Sequence, residues 1–167
     1  MTRPLLALAL VGVLFAGCDG TETEPEIEDA VCGTTGFSSQ GSFSATVDGA
    51  AFQANCFDVQ IRTITVPNGT ADVLTITGFD YALDDPSGEY VGLVTGEPAA
   101  GVFTVEERAT TTTAAEAEYV VDGDAVVADR GTVTITQYTT SRVAGSFDVE
   151  SDDGGGTAFT GQFDISY

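Results

Sequence analysis

The chain has 167 residues, room for one domain, and sets five Lys plus Arg against 26 Asp plus Glu, a formal net charge of −21. It contains no Lys, His or Trp, which removes imidazole bases, Schiff-base lysines and a P-loop lysine from consideration. A phosphate polymer would meet a surface of its own sign, so no nucleic-acid partner is expected, while a 43% hydrophobic fraction with 10 Phe and 5 Tyr argues against an acidic disordered polymer.

Residues 1–17 read as a secretory signal. Arg3 gives the positive start, and Leu5 to Ala16 form an apolar run broken only by Gly12. That run is too short to cross ~30 Å of hydrocarbon, which takes ~20 apolar residues. The ending Leu14-Phe15-Ala16-Gly17-Cys18 resembles the lipobox of bacterial lipoproteins. In that family a small residue precedes a Cys whose thiol takes a diacylglyceryl group before the signal is cut. Phe15 stands where Leu is usual. The resemblance implies lipidation of Cys18 and a membrane partner reached through lipid rather than through a spanning segment. The other reading is an ordinary cleaved signal followed by an unrelated Cys.

Three cysteines are an odd count for an exported chain. If Cys18 becomes a thioether, Cys32 and Cys56 remain. They either pair as a disulfide, worth about 3–4 kcal/mol for a loop of this length in the chain-entropy account, or stay as two buried thiols. Two Cys without His do not make a four-ligand zinc site.

From Cys18 to Gln40 the composition is that of an acidic tether, with Asp19, Glu22, Glu24, Glu26, Glu28 and Asp29 followed by Gly and Ser. Like charges and few apolar groups favour an extended, solvated segment reaching ~26 Å as a flexible coil. The acidic start also resembles the surface-export signal of some Bacteroidota lipoproteins, which implies the outer membrane or cell surface rather than the inner membrane.

Residues 41–167 alternate with period two. Phe43, Ala45 and Val47 precede an Asp48-Gly49 turn; Phe57, Val59 and Ile61 follow, then the Pro67-Asn68-Gly69 break. Leu74 to Thr77, Tyr90 to Val94 (after a turn expected at Asp85 to Gly88), Val102 to Val105 and Tyr119 to Val121 continue the pattern. Val133 and Ile135, then Val143, Phe147 and Val149, then Phe163, Ile165 and Tyr167 complete it. Ala109 to Ala117 reads as a loop or a frayed strand. The expectation is an all-β chain: a single antiparallel β-sandwich or β-barrel domain of about 8–10 short strands, able to fold without a cofactor.

The block Gly41 to Gly49, the run Gly131 to Thr136, and Val143-Ala144-Gly145-Ser146-Phe147 with Gly161-Gln162-Phe163 are similar to a group of small Bacteroidota envelope lipoproteins of unknown function, many with Trp where this chain has Phe52. The resemblance implies an all-β fold and carries no catalytic or ligand residues with it.

Acidic clusters are the most tempting sites. Asp148, Glu150, Asp152 and Asp153 precede Gly154-Gly155-Gly156, and calcium seeks six to eight oxygens. An EF-hand starting at Asp148 fails, with Asp153 at its glycine position and Phe159 at its bidentate Glu position. Asp122 with Asp124, and Asp84 with Asp85, form smaller clusters; a solvated turn is the plainer reading of each. Tyr81, Tyr90, Tyr119, Tyr138 and Tyr167 would stack on a glycan if exposed and coplanar. Arg62, Arg108, Arg130 and Arg142 read as isolated counter-charges on the acidic surface. No Gly-x-Ser-x-Gly elbow occurs, and a Ser nucleophile would lack its His. The reading is therefore a lipid-anchored envelope protein with a non-catalytic binding or structural role, its partner an envelope protein or glycan. The alternatives are a carboxylate-dependent hydrolase or a calcium- or glycan-binding module.

Removal of residues 1–17 takes away only Arg3, leaving four Arg against 26 acids, a charge of −22. Such self-repulsion fits a saline habitat. Thermal melts should then rise most steeply while the Debye length falls from ~30 Å at 0.01 M to ~8 Å at 0.15 M sodium chloride. A flat series from low salt upward would contradict salt adaptation.

Overall fold

The computed structural model describes Cys32 and residues 37–66, 69–82, 85–152 and 156–167, with the side chains of 81–87 left aside. The signal segment 1–17, Cys18 and the start of the tether lie outside the described residues. Eleven strands follow in chain order: β1 (Gly41–Val47), β2 (Ala50–Ala54), β3 (Cys56–Val66), β4 (Gly69–Ala82), β5 (Asp85–Thr95), β6 (Gly101–Val105), β7 (Ala114–Val121), β8 (Asp124–Val127), β9 (Arg130–Thr139), β10 (Arg142–Glu150) and β11 (Ala158–Ser166).

They form one sheet in the order β2-β1-β11-β10-β9-β6-β7-β5-β4-β3, with β8 added to β7. Its two ends are parts of nearly one strand. β2 pairs with β1, and β3 pairs with β4, yet only Asn55 separates them. The chain bends at Asn55, whose N–H donates to the Phe79 carbonyl at 2.9 Å. The run 50–66 thus begins against one end of the sheet and finishes against the other. The stretch before β1 adds to the seam: Ser38 and Phe57 exchange both backbone hydrogen bonds, at 2.8 and 2.7 Å, and Ser166 N–H donates to Gln40. The sheet is nearly closed and barrel-like, within the expected class.

Pairing is antiparallel except where β6 meets β7 in parallel over Thr104–Ala114 and Val105–Ala115. Two hairpins turn on Asp-Gly. Asp48 and Gly49 have φ of 47° and 85°, Asp122 and Gly123 φ of 53° and 84°, the doubly left-handed backbone that matches strand twist in a two-residue hairpin. The turn expected at Asp85 to Gly88 is displaced. β4 runs on to Ala82 and β5 starts at Asp85, with a register irregularity between Asp80 and Ala82. β2 and β8 had no period-two signature, being short and poor in large apolar residues.

Alternation supplies the core. Phe43, Phe52, Phe103, Phe147, Phe159 and Phe163 fill the interior with Leu74, Ile76, Leu93, Val133, Ile135 and Ile165. Glycines on facing strands make room for these rings. Gly145 pairs with Phe163 and Gly161 with Phe147. A Cβ on Gly161 would lie 2.4 Å from the Phe147 ring and 2.3 Å from the Ser44 carbonyl oxygen. Backbone cannot step aside as a side chain can, so Gly161→Ala should cost about 1–3 kcal/mol. A thermal or urea melt checks this, and a wild-type midpoint would show that the rings do not lie over that strand.

The β3–β4 hairpin outruns the barrel. β5 pairs with β4 only from Leu74 onward, so residues 62–66 and 69–73 form a two-stranded arm. Ile61 keeps to the face that its alternation with Phe57 and Val59 gives it, but at the root of the arm it is 53% exposed, although its partner Leu74 is fully buried.

Candidate functional site

Cys32 and Cys56 form a disulfide with Cα atoms 5.4 Å apart, within the normal span. Cys56 begins β3 beside the Asn55 bend, so the bond fastens the chain ahead of β1 to the seam. Next to it Phe37 stacks on Phe79 (centroids 4.6 Å apart, planes 5° from parallel), and Phe79 contacts Tyr90 at 5.6 Å. The folded unit therefore includes residues that composition alone assigns to the tether. Phe37, the one aromatic residue there, was the signal for it.

Beside this seam an open cleft of about 600 Å³ is lined by Ser38, Phe57, Asp58, Val59, Ser141 and Tyr167, among others. Three of its polar side chains have protein partners. Tyr167 donates to the Thr139 carbonyl at 2.8 Å, Ser38 Oγ to the Ser166 carbonyl at 2.9 Å, and Gln60 Nε2 to Asp58 Oδ2 at 2.6 Å. A second depression of about 410 Å³ lies on the outer face of the arm. Ile64, Val66, Ala71, Val73 and Val94 meet the β6–β7 loop there, and Glu116 Oε1 holds that loop by accepting the Ala109 N–H at 2.7 Å.

The acidic candidates have other occupations. Glu150 accepts from Arg130 Nε at 2.7 Å, and Asp152 and Asp129 accept from the same guanidinium. The bonds to Asp152 and then to Glu150 hold the Arg130 pKa above its ordinary value. Asp148 is exposed on β10, and Asp153 lies outside the described residues. Asp122 and Asp124 flank the Gly123 turn; Asp84 and the side chain of Asp85 are outside the described set. Among the described residues no group of three or more His, Cys, Asp or Glu is placed to hold a metal ion. Arg142 grips Asp164 with two hydrogen bonds of 2.8 and 2.6 Å, which holds that carboxyl below its usual range. What this pair contributes is present above the ordinary carboxylate range and fades as acid protonates Asp164.

The tyrosines do not share one platform. Tyr90 belongs to the Phe37–Phe79 stack and donates to Glu118 at 3.3 Å. Tyr119 packs edge-on to Phe52 at 6.5 Å. Burial, then Glu89 and Asp122, push its pKa up to about 12. Tyr138 and Tyr167 sit together near the β9–β10 turn; the Tyr81 side chain is not described. Among buried polar or charged residues, Thr77, Thr95 and Ser151 are the described examples, none of them ionisable near neutral pH. No family model, curated protein or solved structure matches the chain.

Proposed function

We propose that the chain is a lipid-anchored module of the bacterial cell envelope with a non-catalytic binding or structural role. The observation that carries this reading is the Cys32–Cys56 bond. Disulfides belong to oxidising compartments, as expected of an exported chain. With that pair made, the cysteine left over is Cys18, the residue that ends the lipobox-like segment. The geometry also suits an anchor, because the tether enters the barrel at a covalent fastening. Pull on the lipid end is therefore borne by the seam.

The interior favours a module over a hydrolase. A two-carboxylate mechanism needs an acid with a raised pKa in a water-poor pocket. The described core is instead filled by Phe, Leu, Ile and Val. A glycan platform would need coplanar exposed rings, whereas the described tyrosines are spread over separate contacts. The outer membrane or the cell surface is the proposed location.

Cys18→Ala should move the protein from the membrane to the soluble fraction. In the wild type, globomycin should accumulate a lipid-modified precursor that keeps residues 1–17. An Ala variant that stays with membranes through a high-salt wash would contradict lipid anchoring.

A further inference from the structure

The outer edge of β3 has, among the described residues, no partner strand beyond the bridge at Phe57. β3 ends the sheet order, with β4 on one side. On its other side, among the described residues, Phe57 alone has a bridge, to Ser38. Phe57 points its N–H and C=O away from β4, and antiparallel alternation makes Val59, Ile61, Thr63 and Thr65 do the same. Such an edge is a ready template for another strand, and proteins usually blunt one with Lys, Pro or a bulge. This edge has none of these between Cys56 and Val66, and its register with β4 is unbroken.

We infer that the edge pairs with β3 of a second copy of this chain, antiparallel about a two-fold axis at Ile61. Charge is the first argument. Each chain is strongly acidic, so two copies repel almost everywhere, but β3 carries one acid and one base, Asp58 and Arg62. Both lie on one face of the strand with Gln60 between them, linked by Arg62 Nε to Gln60 Oε1 at 3.1 Å and Gln60 Nε2 to Asp58 Oδ2 at 2.6 Å. The order acid, amide, base is complementary to itself when reversed.

Register is the second. With the axis at Ile61, Val59 opposes Thr63 of the other copy and Ile61 opposes its counterpart, all edge-facing residues. On the other face Gln60 opposes Arg62, and Asp58 stands one diagonal step from Arg62, within reach of a long side chain. An axis at Arg62 would set two guanidinium groups opposite each other. Ser38 fills the rung of Phe57 in either case, so an axis at Gln60 leaves two free hydrogen-bonding rungs, Val59 with Ile61 and the reverse, against three about Ile61. Shape is the third. Residues 62–66 of each copy lie past the point where β5 leaves β4, and in this register they run along residues 56–60 of the other copy. Joining them covers Ile61, the second most exposed large hydrophobic residue described.

Directly opposed Cα atoms in a hydrogen-bonded antiparallel pair lie ≈ 5.5 Å apart, a distance a disulfide spans. Ile61→Cys in the full chain should therefore give a covalent dimer on a non-reducing gel. Val102→Cys, at a site 65% exposed on β6, is the control and should stay monomeric. In the Ile61→Cys background, Arg62→Glu should cut the dimer about tenfold by setting acid against acid, and adding Asp58→Arg should restore it. A cooperative thermal melt reports that each variant is folded. Dimer no more abundant than in the Val102→Cys control, ladders of higher multimers, failed rescue by the charge swap, or cross-links to a different protein would each overturn the proposal.

Discussion

The closure of the sheet rests on one bend. Between Ala50 and Val66 a single stretch of chain pairs first with β1 and then with β4, and Asn55 is where it changes partners. Because the two ends of the sheet share this stretch, the ten strands of the main path curl into a nearly closed wall around the core rings. The Asn55 hydrogen bond to Phe79, the Ser38–Phe57 bridge and the Cys32–Cys56 bond all fall within a few residues of the bend. A disulfide here limits the freedom of the unfolded chain and ties the sequence ahead of β1 to the point where closure is made.

The same constraint accounts for the arm. Once past the bend, β3 has β4 for company but β5 stops short, so the hairpin leaves the barrel with Ile64, Val66, Ala71 and Val73 on one face and Thr63, Thr65, Thr70 and Asp72 on the other. Ile61 continues the inward face of the strand, and Ile64 the outward one. Neither has the cover that its place in the pattern promises: they are 53% and 39% exposed. The acidic surface elsewhere keeps copies apart, which leaves the neutral β3 edge as the natural place for contact.

Much of this was legible in the sequence because a half-buried strand writes its own period. Val143, Phe147 and Val149 and then Phe163 and Ile165 alternate, and all are buried. Asp48-Gly49 announced a hairpin because few other dipeptides accept two positive φ values. β2 was not legible, since Phe52 is its one large apolar residue, and β8 is four residues long. The bend at Asn55 had no local signal: it is set by which strands lie on either side, a matter of topology rather than of composition. Exposure of Ile61 is hidden for the same reason, since periodicity names a face and cannot say where the neighbouring strand ends. The acidic run Asp148 to Asp153 looked like a cation site because sequence cannot show that Arg130 reaches Glu150 and Asp152.

Native-state hydrogen exchange tests the closure most directly, because a closed barrel gives its ladders one common opening. Amides hydrogen-bonded between β1 and β2 and between β4 and the first half of β3 should exchange with the same, near-global free energy. Those of residues 62–66 and 69–73 should open at lower cost. If the β1–β2 amides instead exchanged through a separate, low-energy opening while β3 and β4 stayed protected, the two ends of the sheet would be independent and the shared strand would not be what closes it.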